Sequence, residues 1–591
     1  MMAVLSSFLS VRLALACAGR GLADAARWSR GWLLLTVVLH SVQAVLPALQ
    51  VLLISVLLGR LADGAVGSGL AVPLVLLTVV VGAAFPLAQV AWQSSQRMGL
   101  RLMLRYQERL LEAVARATPR QLADGGFVRD VETAQLGISA PGLAAIPGQA
   151  LQVITAVVTA VSLCATIATF NLVSGLLVGA SLLPTVFAFT LIARVELAGM
   201  PRLAKASRRA NHLTEQLLQQ RTGTELAALQ SGHKVATLAV SARARFVAVL
   251  EELTRFGTRM ELACAAGTVL LLGGALTVMV FGSPNPAGAA ASIAGIISGI
   301  HAIRSCGNAF GQLVTAAPKA DLYRRVLTTL PPMPPADPVA RVDHLAVTDL
   351  HHTYPGATEP ALRGVSFEAG RGQMIALVGV NGAGKTTALN AALGIVDPDR
   401  GLVSLDGFDA DTLADADRLA RFGLLTQEFG RYELTVRETV LLGTPDVAVP
   451  DERVWRALER AHAADFVRAL PGGLDCQLGQ QWGGSGLSGG QWQRIALARI
   501  HLRDAPIWVL DEPTSAIDAE AERDIFAELR QVKDNHITIV VSHRAWTLRA
   551  MDHIHVFDQG RIVEHGTFAE LLRENGRFAT LFAEQTAPPR R

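Results

Sequence analysis

The sequence predicts a multidomain chain: an all-α membrane domain of six helices followed by an α/β domain of the P-loop type. Three observations lead there. Long intervals without a charged residue recur before residue 330, prolines crowd just after it, and beyond them a strand-like apolar run opens into a glycine-rich loop ending in Lys385. The 591 residues, 51% hydrophobic and 17% charged, are too many for one domain and too apolar for an ordinary soluble protein. A formal charge of +3 gives no field that would hold nucleic acid, so none is expected as a partner. Cys17, Cys164, Cys264, Cys306 and Cys476 lie too far apart in sequence for a disulfide framework or a CxxC metal site, and read as buried or lipid-facing thiols. Arginine greatly outnumbers lysine, a bias of GC-rich bacterial genomes that says nothing about mechanism.

Residues 1–30 carry Arg12, Arg20, Arg27 and Arg30 among apolar residues and read as an amphipathic segment on the membrane surface. Residues 31–330 form the membrane domain. A spanning helix needs about 20 mostly apolar residues. The uncharged intervals 31–59 and 64–96 each supply one. No charge occurs from Thr133 to Ala193, about three times too long for a single crossing at about 1.5 Å per residue. That stretch must be a hairpin, with its turn expected at Phe170–Gly175. The interval Leu262–Ile303 is a second hairpin, broken at Gly282-Ser283-Pro284-Asn285-Pro286. Six spans result.

Loop charge sets the orientation. Residues 97–132 hold seven arginines, and 194–261 hold many more basic residues, whereas the opposite loops carry little beyond Arg60 and Asp63. The positive-inside rule places both long loops and both termini in the cytoplasm of a bacterial plasma membrane. Within 97–116 the charges recur every three or four residues, so the spanning helices are expected to continue past the bilayer.

Prolines 331, 332, 334, 335 and 338 exclude a helix or central strand, and residues 331–342 read as a linker. Residues 343–591 then have the composition of an α/β domain. Its sharpest motif is Gly379-Val380-Asn381-Gly382-Ala383-Gly384-Lys385-Thr386-Thr387, placed between the strand-like Met374–Val378 and a helix-like run. In such a loop the backbone N–H groups wrap phosphates, the lysine reaches the β- and γ-oxygens, and Thr386 binds Mg²⁺. A second apolar strand, Ile507–Leu510, ends in Asp511-Glu512. Asp511 is placed to hold Mg²⁺ and Glu512 to polarise the attacking water. ATP and Mg²⁺ are therefore the expected cofactors.

Between these motifs lies Leu487-Ser488-Gly489-Gly490-Gln491. With it the chain resembles the ATP-binding cassette (ABC) superfamily, and the six spans ahead of it resemble the membrane part of ABC exporters, which makes the chain a half-transporter. The resemblance implies an ATPase-coupled translocase and further roles by position. Tyr354 looks like the aromatic that stacks on adenine. Gln427 resembles the glutamine that senses Mg²⁺ and the attacking water, His543 the γ-phosphate histidine, and Asp518 the aspartate that communicates across the dimer. Ser488, Gly489, Gly490 and Gln491 would face ATP held by the P-loop of a second half-transporter, an identical or a different chain. The segments near Thr118–Phe127 and Arg221–Leu229 would be the coupling helices.

The stretch Gly479–Gly486 departs from the exporter pattern, because it lacks the usual acidic residue and its contact is expected to be uncharged. Gln427–Thr435 and the tryptophan after LSGGQ resemble exporters of modified peptides such as lanthipeptides, which implies a peptide cargo. A lipid or drug exporter, an importer of siderophores or cofactors on the same fold, and a non-pumping regulator are the alternatives.

Overall fold

The structure, a computed structural model, describes residues 2–64, 68–138, 142–282, 286–330, 341–446, 448–514 and 516–586. It divides into two units, one of Met1–Arg116 with Gly126–Pro331 and one of Ala117–Gly125 with Pro332–Arg591. The proline-rich stretch 331–340 and residues 283–285, where a turn is expected, lie outside the described residues.

The first unit is helical: α1 (Met2–Trp28), α2 (Arg30–Ala62), α3 (Ser68–Val114), then, beyond the short α4 (Pro119–Ala123), α5 (Gly125–Ile138), α6 (Ile146–Phe170), α7 (Leu172–Ala180), α8 (Leu182–Leu218), α9 (Gln220–Ala228), α10 (Gly232–Gly282) and α11 (Pro286–Thr329). Among the described residues five helical stretches are long and apolar enough to cross a membrane: Arg30–Ala62, Gly69–Val114, Gly125–Phe170, Leu172–Leu218 and Gly232–Phe281. α11 covers the stretch where the sixth span is expected. The apolar side chains of α2 face outwards, with Leu34, Val38 and Val45 each more than half exposed, as a helix solvated by lipid requires. At about 1.5 Å per residue, α3 and α10 are each more than twice as long as a bilayer core is thick, so both continue beyond it.

The expected hairpin turn falls at Asn171, whose side chain accepts from the Ser174 amide at 3.1 Å and caps α7. The same uncharged run holds a second break that charge counting misses. α5 ends at Ile138 and α6 starts at Ile146, after a 3-10 turn at Leu143–Ala145. Several intramembrane polar side chains bond helix to helix, with Gln149 Nε2 donating to Gln312 Oε1 at 2.8 Å, Gln152 Nε2 to Ser305 Oγ at 2.8 Å, and Thr36 paired with Ser94 at 2.7 Å.

The second unit is built on two sheets. One is antiparallel, in the order β2 (Leu362–Gly370), β1 (His344–His352), β4 (Arg400–Leu405), β5 (Phe408–Asp409). The other runs β10 (Arg561–Gly566), β9 (His553–Asp558), β3 (Met374–Gly379), β8 (Ile537–Val541), β7 (Ile507–Asp511), β6 (Phe422–Leu425), parallel except at β10. Every residue of β3 and β8 is buried, the pattern of strands covered on both faces. Alternate residues feed two cores, Ala376, Val378, Leu510 and Val540 on one face and Ile375, Leu377, Val509 and Ile539 on the other. Register places Leu377 beside Val541 and Val541 beside Asp511, so the carboxyl ends of β3, β8 and β7 lie together. In open α/β sheets that edge is where ligands bind.

Candidate nucleotide site

The glycine-rich loop leaves the end of β3 and feeds the helix α12 (Lys385–Leu393). Gly384 caps that helix at φ +106°, and a Cβ there would lie 2.8 Å from the Ala361 carbonyl oxygen, so only glycine fits. Asn381, Gly382 and Ala383 form the turn, with the Ala383 amide donating to Val380 O at 3.2 Å. Lys385 is buried and donates to the carbonyls of Gly379 at 2.7 Å and Val380 at 3.1 Å. Burial holds its ammonium below the usual lysine range, while the charges of Asp511 and Glu512 pull the other way. The Tyr354 hydroxyl lies 3.2 Å from Thr387 Oγ1, and its ring stands edge-on to His352 with centroids 4.8 Å apart. The expected adenine-stacking residue is thus tied to the start of α12.

Thr386, Gln427 and Asp511 line one cavity of about 270 Å³. Hydroxyl, amide carbonyl and carboxylate are the hard oxygen donors that Mg²⁺ takes, and the set fits that ion. Burial raises the Asp511 carboxyl above its ordinary range, Glu512 adds to this, and Lys385 opposes it.

Glu512 follows β7 in a left-handed conformation, φ +49°, uncommon for a residue with a side chain. Its amide donates to Val541 O at 3.0 Å. One carboxylate oxygen lies 3.3 Å from His543 Nε2, and Gln427 Nε2 donates to the other at 3.4 Å. The three residues expected to be catalytic therefore converge. Burial and then the Lys385 charge hold the His543 imidazole below its ordinary pKa, with Glu512 opposing.

Gln493 is a residue that motif reading missed. Fully buried in the helix Gly489–Arg503, it donates through Nε2 to Glu512 O at 2.9 Å and accepts through Oε1 from the Ala516 amide at 3.1 Å. It clamps the strained backbone after β7. The one signal in the sequence is an amide two positions beyond LSGGQ on an otherwise apolar helix face.

The LSGGQ residues sit apart from this cluster. Ser488 caps the helix Gly489–Arg503, its hydroxyl accepting from the Gln491 amide at 3.2 Å while Gln491 Oε1 accepts from the Ser488 amide at 2.9 Å. A Cβ on Gly490 would lie 2.7 Å from Ala516 O, which holds the motif against the loop after Glu512. Among the described residues no hydrogen bond joins Ser488–Gln491 to 379–387. Asp518 caps the helix Ala519–Val532 by accepting from the Ala521 amide at 2.9 Å, a bond that lowers its carboxyl. Ser515 lies outside the described residues.

Two contacts add to the expectations from sequence. The stretch Gly479–Gly486 itself carries no charge, and the Glu433 carboxylate folds onto it, accepting from Gln481 and, at 3.0 Å, from Trp482 Nε1. Glu433 precedes that stretch by more than forty residues, so local reading could not find it. Second, the segment 117–125 belongs to this unit. Its Thr118–Gln121 capping box starts α4, and Arg120 reaches Asp397 at 2.7 Å and the Gly394 carbonyl at 2.7 Å. Gly394 ends α12, so a cation meets the negative end of the phosphate-loop helix. The buried Arg418 bonds the carbonyls of Ala391 at 2.8 Å and Ala392 at 3.0 Å at the same end.

Residues 362–515 match the ABC transporter family. The C-terminal unit is an ABC transporter ATPase domain. Over 241 residues the chain is 42% identical to an ATP-dependent lipid A-core flippase of Thiobacillus denitrificans, covering 41% of each protein. It is 43% identical over 239 residues to the ABC multidrug transporter MDR2 of Trichophyton interdigitale, covering 40% of this chain and 18% of that one. The aligned part thus spans well under half the length of either relative. A solved structure of a bacterial Atm1-family ABC exporter with ATP bound covers 95% of this chain and 98% of its own, with a TM-score of 0.77 at 23% identity. Over nearly its whole length the chain therefore shares the fold of that exporter, helices followed by an α/β domain.

Proposed function

We propose that the chain is one half of a dimeric, ATP-driven exporter in a bacterial plasma membrane, with both termini in the cytoplasm. The observation that carries this reading is the split within the ATPase domain. Thr386, Gln427, Asp511, Glu512 and His543 gather at the phosphate-loop end, while Ser488 and Gly490 cap a helix elsewhere. One chain then offers half of each of two sites, and a second chain completes them.

In such a pair the loop amides and Lys385 bind the phosphates, and Tyr354 stacks on adenine. The other chain's LSGGQ helix presents its N-terminal amides to the γ-phosphate. Thr386, Asp511 and Gln427 would hold Mg²⁺, which would supply charge neutralisation to the phosphates. Glu512 accepts the proton of the attacking water, oriented by Gln427, and neutral His543 donates to the γ-phosphate. Closure around two ATP molecules draws the coupling segments together and opens the membrane cavity outward, and hydrolysis resets it. Arg120 transmits this movement from α12.

The cargo we propose is an amphiphile. The membrane unit holds a cavity of about 800 Å³ lined by Phe189, Leu262, Val269 and Leu272 together with Gln152, Asn308 and the carboxylate of Glu261. Among the described residues neither lysine nor arginine lines it. A neutral or cationic amphiphile suits it better than a strongly anionic one, and the names of the relatives, lipid A-core and multidrug carriers, favour lipid or drug over a modified peptide. Reconstituted inverted vesicles test the reading. ATP-dependent accumulation of an amphiphilic dye cation is expected, depletion would indicate uptake, and accumulation of a lanthipeptide alone would restore the peptide reading.

A further inference from the structure

The first unit contains a basic pocket, of about 350 Å³, where α1, α3 and α11 meet. Arg20, Arg109 and Arg324 line it, and among the described residues Asp24 is the one carboxylate that does. Asp24 already accepts from the Tyr106 hydroxyl at 2.9 Å. Three arginines against one aspartate leave the wall with a surplus of two positive charges. Among the described residues none of the three guanidiniums forms an ion pair with a carboxylate. Arg109 lies over the Trp28 ring, 4.4 Å from its centroid. Arg324 Nη1 is buried without a hydrogen-bond partner.

A buried cationic N–H without an acceptor is strongly unfavourable, and a guanidinium fork matches the spacing of phosphate oxygens. The surroundings fix the depth. Trp28 and Trp32 carry Arg109 and Arg97 on their faces, at 4.4 and 5.1 Å, and tryptophan and arginine pair in this way at the membrane–water boundary. Leu143, Ile146 and Leu327 add an apolar wall to the same pocket.

We propose that this pocket binds a phosphate-bearing anion at headgroup depth, with a phosphate ester of the bilayer or free phosphate as the two sources of that chemistry. The site is separate from the cargo cavity and needs only that this unit lies in a membrane. It would fasten the amphipathic α1 to α3 and α11 through an anion all three share.

The test is native mass spectrometry of the full-length protein, titrated with phosphatidylglycerol, phosphatidylcholine or inorganic phosphate. Phosphatidylglycerol is expected to bind on the order of tenfold more tightly than phosphatidylcholine. Arg324→Gln should bring the two lipids level, and Arg12→Gln, on the same α1 but outside the pocket, should leave the preference intact. Displacement of the lipid by millimolar inorganic phosphate assigns the site to the free anion, and retention assigns it to the lipid. Equal binding of the two lipids by the unaltered protein, with no adduct of inorganic phosphate, would overturn the proposal whether or not Arg324→Gln folds.

Discussion

The phosphate-loop end and the LSGGQ end of the ATPase domain are both helix N-termini rich in glycine, yet they are finished differently. At the first, side chains from the ends of three strands and from α12 converge, and Glu512 lies between Gln427 and His543 at 3.4 and 3.3 Å. At the second, the polar side chains Ser488 and Gln491 are spent on each other in a capping box. The contrast teaches that functional side chains gather at one end, while the other presents helix-terminal amides, which in the proposed dimer would face a ligand held by the second chain. Gln493 joins the two, since its helix begins with the motif and its amide fixes the backbone of Glu512.

Breaking the prepared end should cost most. Glu512→Gln keeps the shape of the side chain and removes the base, so ATP turnover should fall by about a hundredfold or more while nucleotide binding persists. Undiminished hydrolysis, measured as phosphate release, would remove Glu512 from that role. Gln493→Ala tests the link between the ends. Freed of its clamp, Glu512 should lose its aim, with kcat down by about tenfold and KM for ATP little changed. A change in KM alone would make Gln493 a packing residue only.

The smallest expected effect concerns pH. Burial favours the neutral imidazole of His543, so its folded pKa lies below the ordinary 6.5. Protonation, and with it loss of the neutral donor facing Glu512, is therefore confined to pH below that value. The acid limb of kcat should lie below pH 6.5 in the unaltered protein. A midpoint above it would contradict the geometry.

Much of this was legible in the sequence, because phosphate chemistry demands fixed spacings. The loop 379–387, the carboxylates after β7 and His543 after β8 each follow an apolar strand, and strands of one parallel sheet end at a common edge. Uncharged intervals likewise located the membrane helices, since lipid excludes charge. What stayed hidden depends on contacts between distant residues. Glu433 supplies a carboxylate to a stretch that lacks one, Arg120 leaves the membrane half of the sequence to cap α12, and Gln493 looks like any amide on a helix. The break between α5 and α6 escaped because charge gaps mark entry to lipid, although Pro141-Gly142 and Pro147 are turn signals in the sequence there.

The central claim, that each working site draws its phosphate loop from one chain and its LSGGQ from another, is open to a single mixing experiment. Lys385→Ala should abolish hydrolysis by removing the phosphate ligand, and Gly490→Asp should do so by placing a side chain and a negative charge where the γ-phosphate is to lie. Co-expressed and assorted at random, the two inactive chains should recover about a quarter of the unaltered rate, because half of the dimers then carry one intact site of two. A mixture as inactive as either variant alone, or a Gly490→Asp chain that hydrolyses ATP normally, would contradict the account.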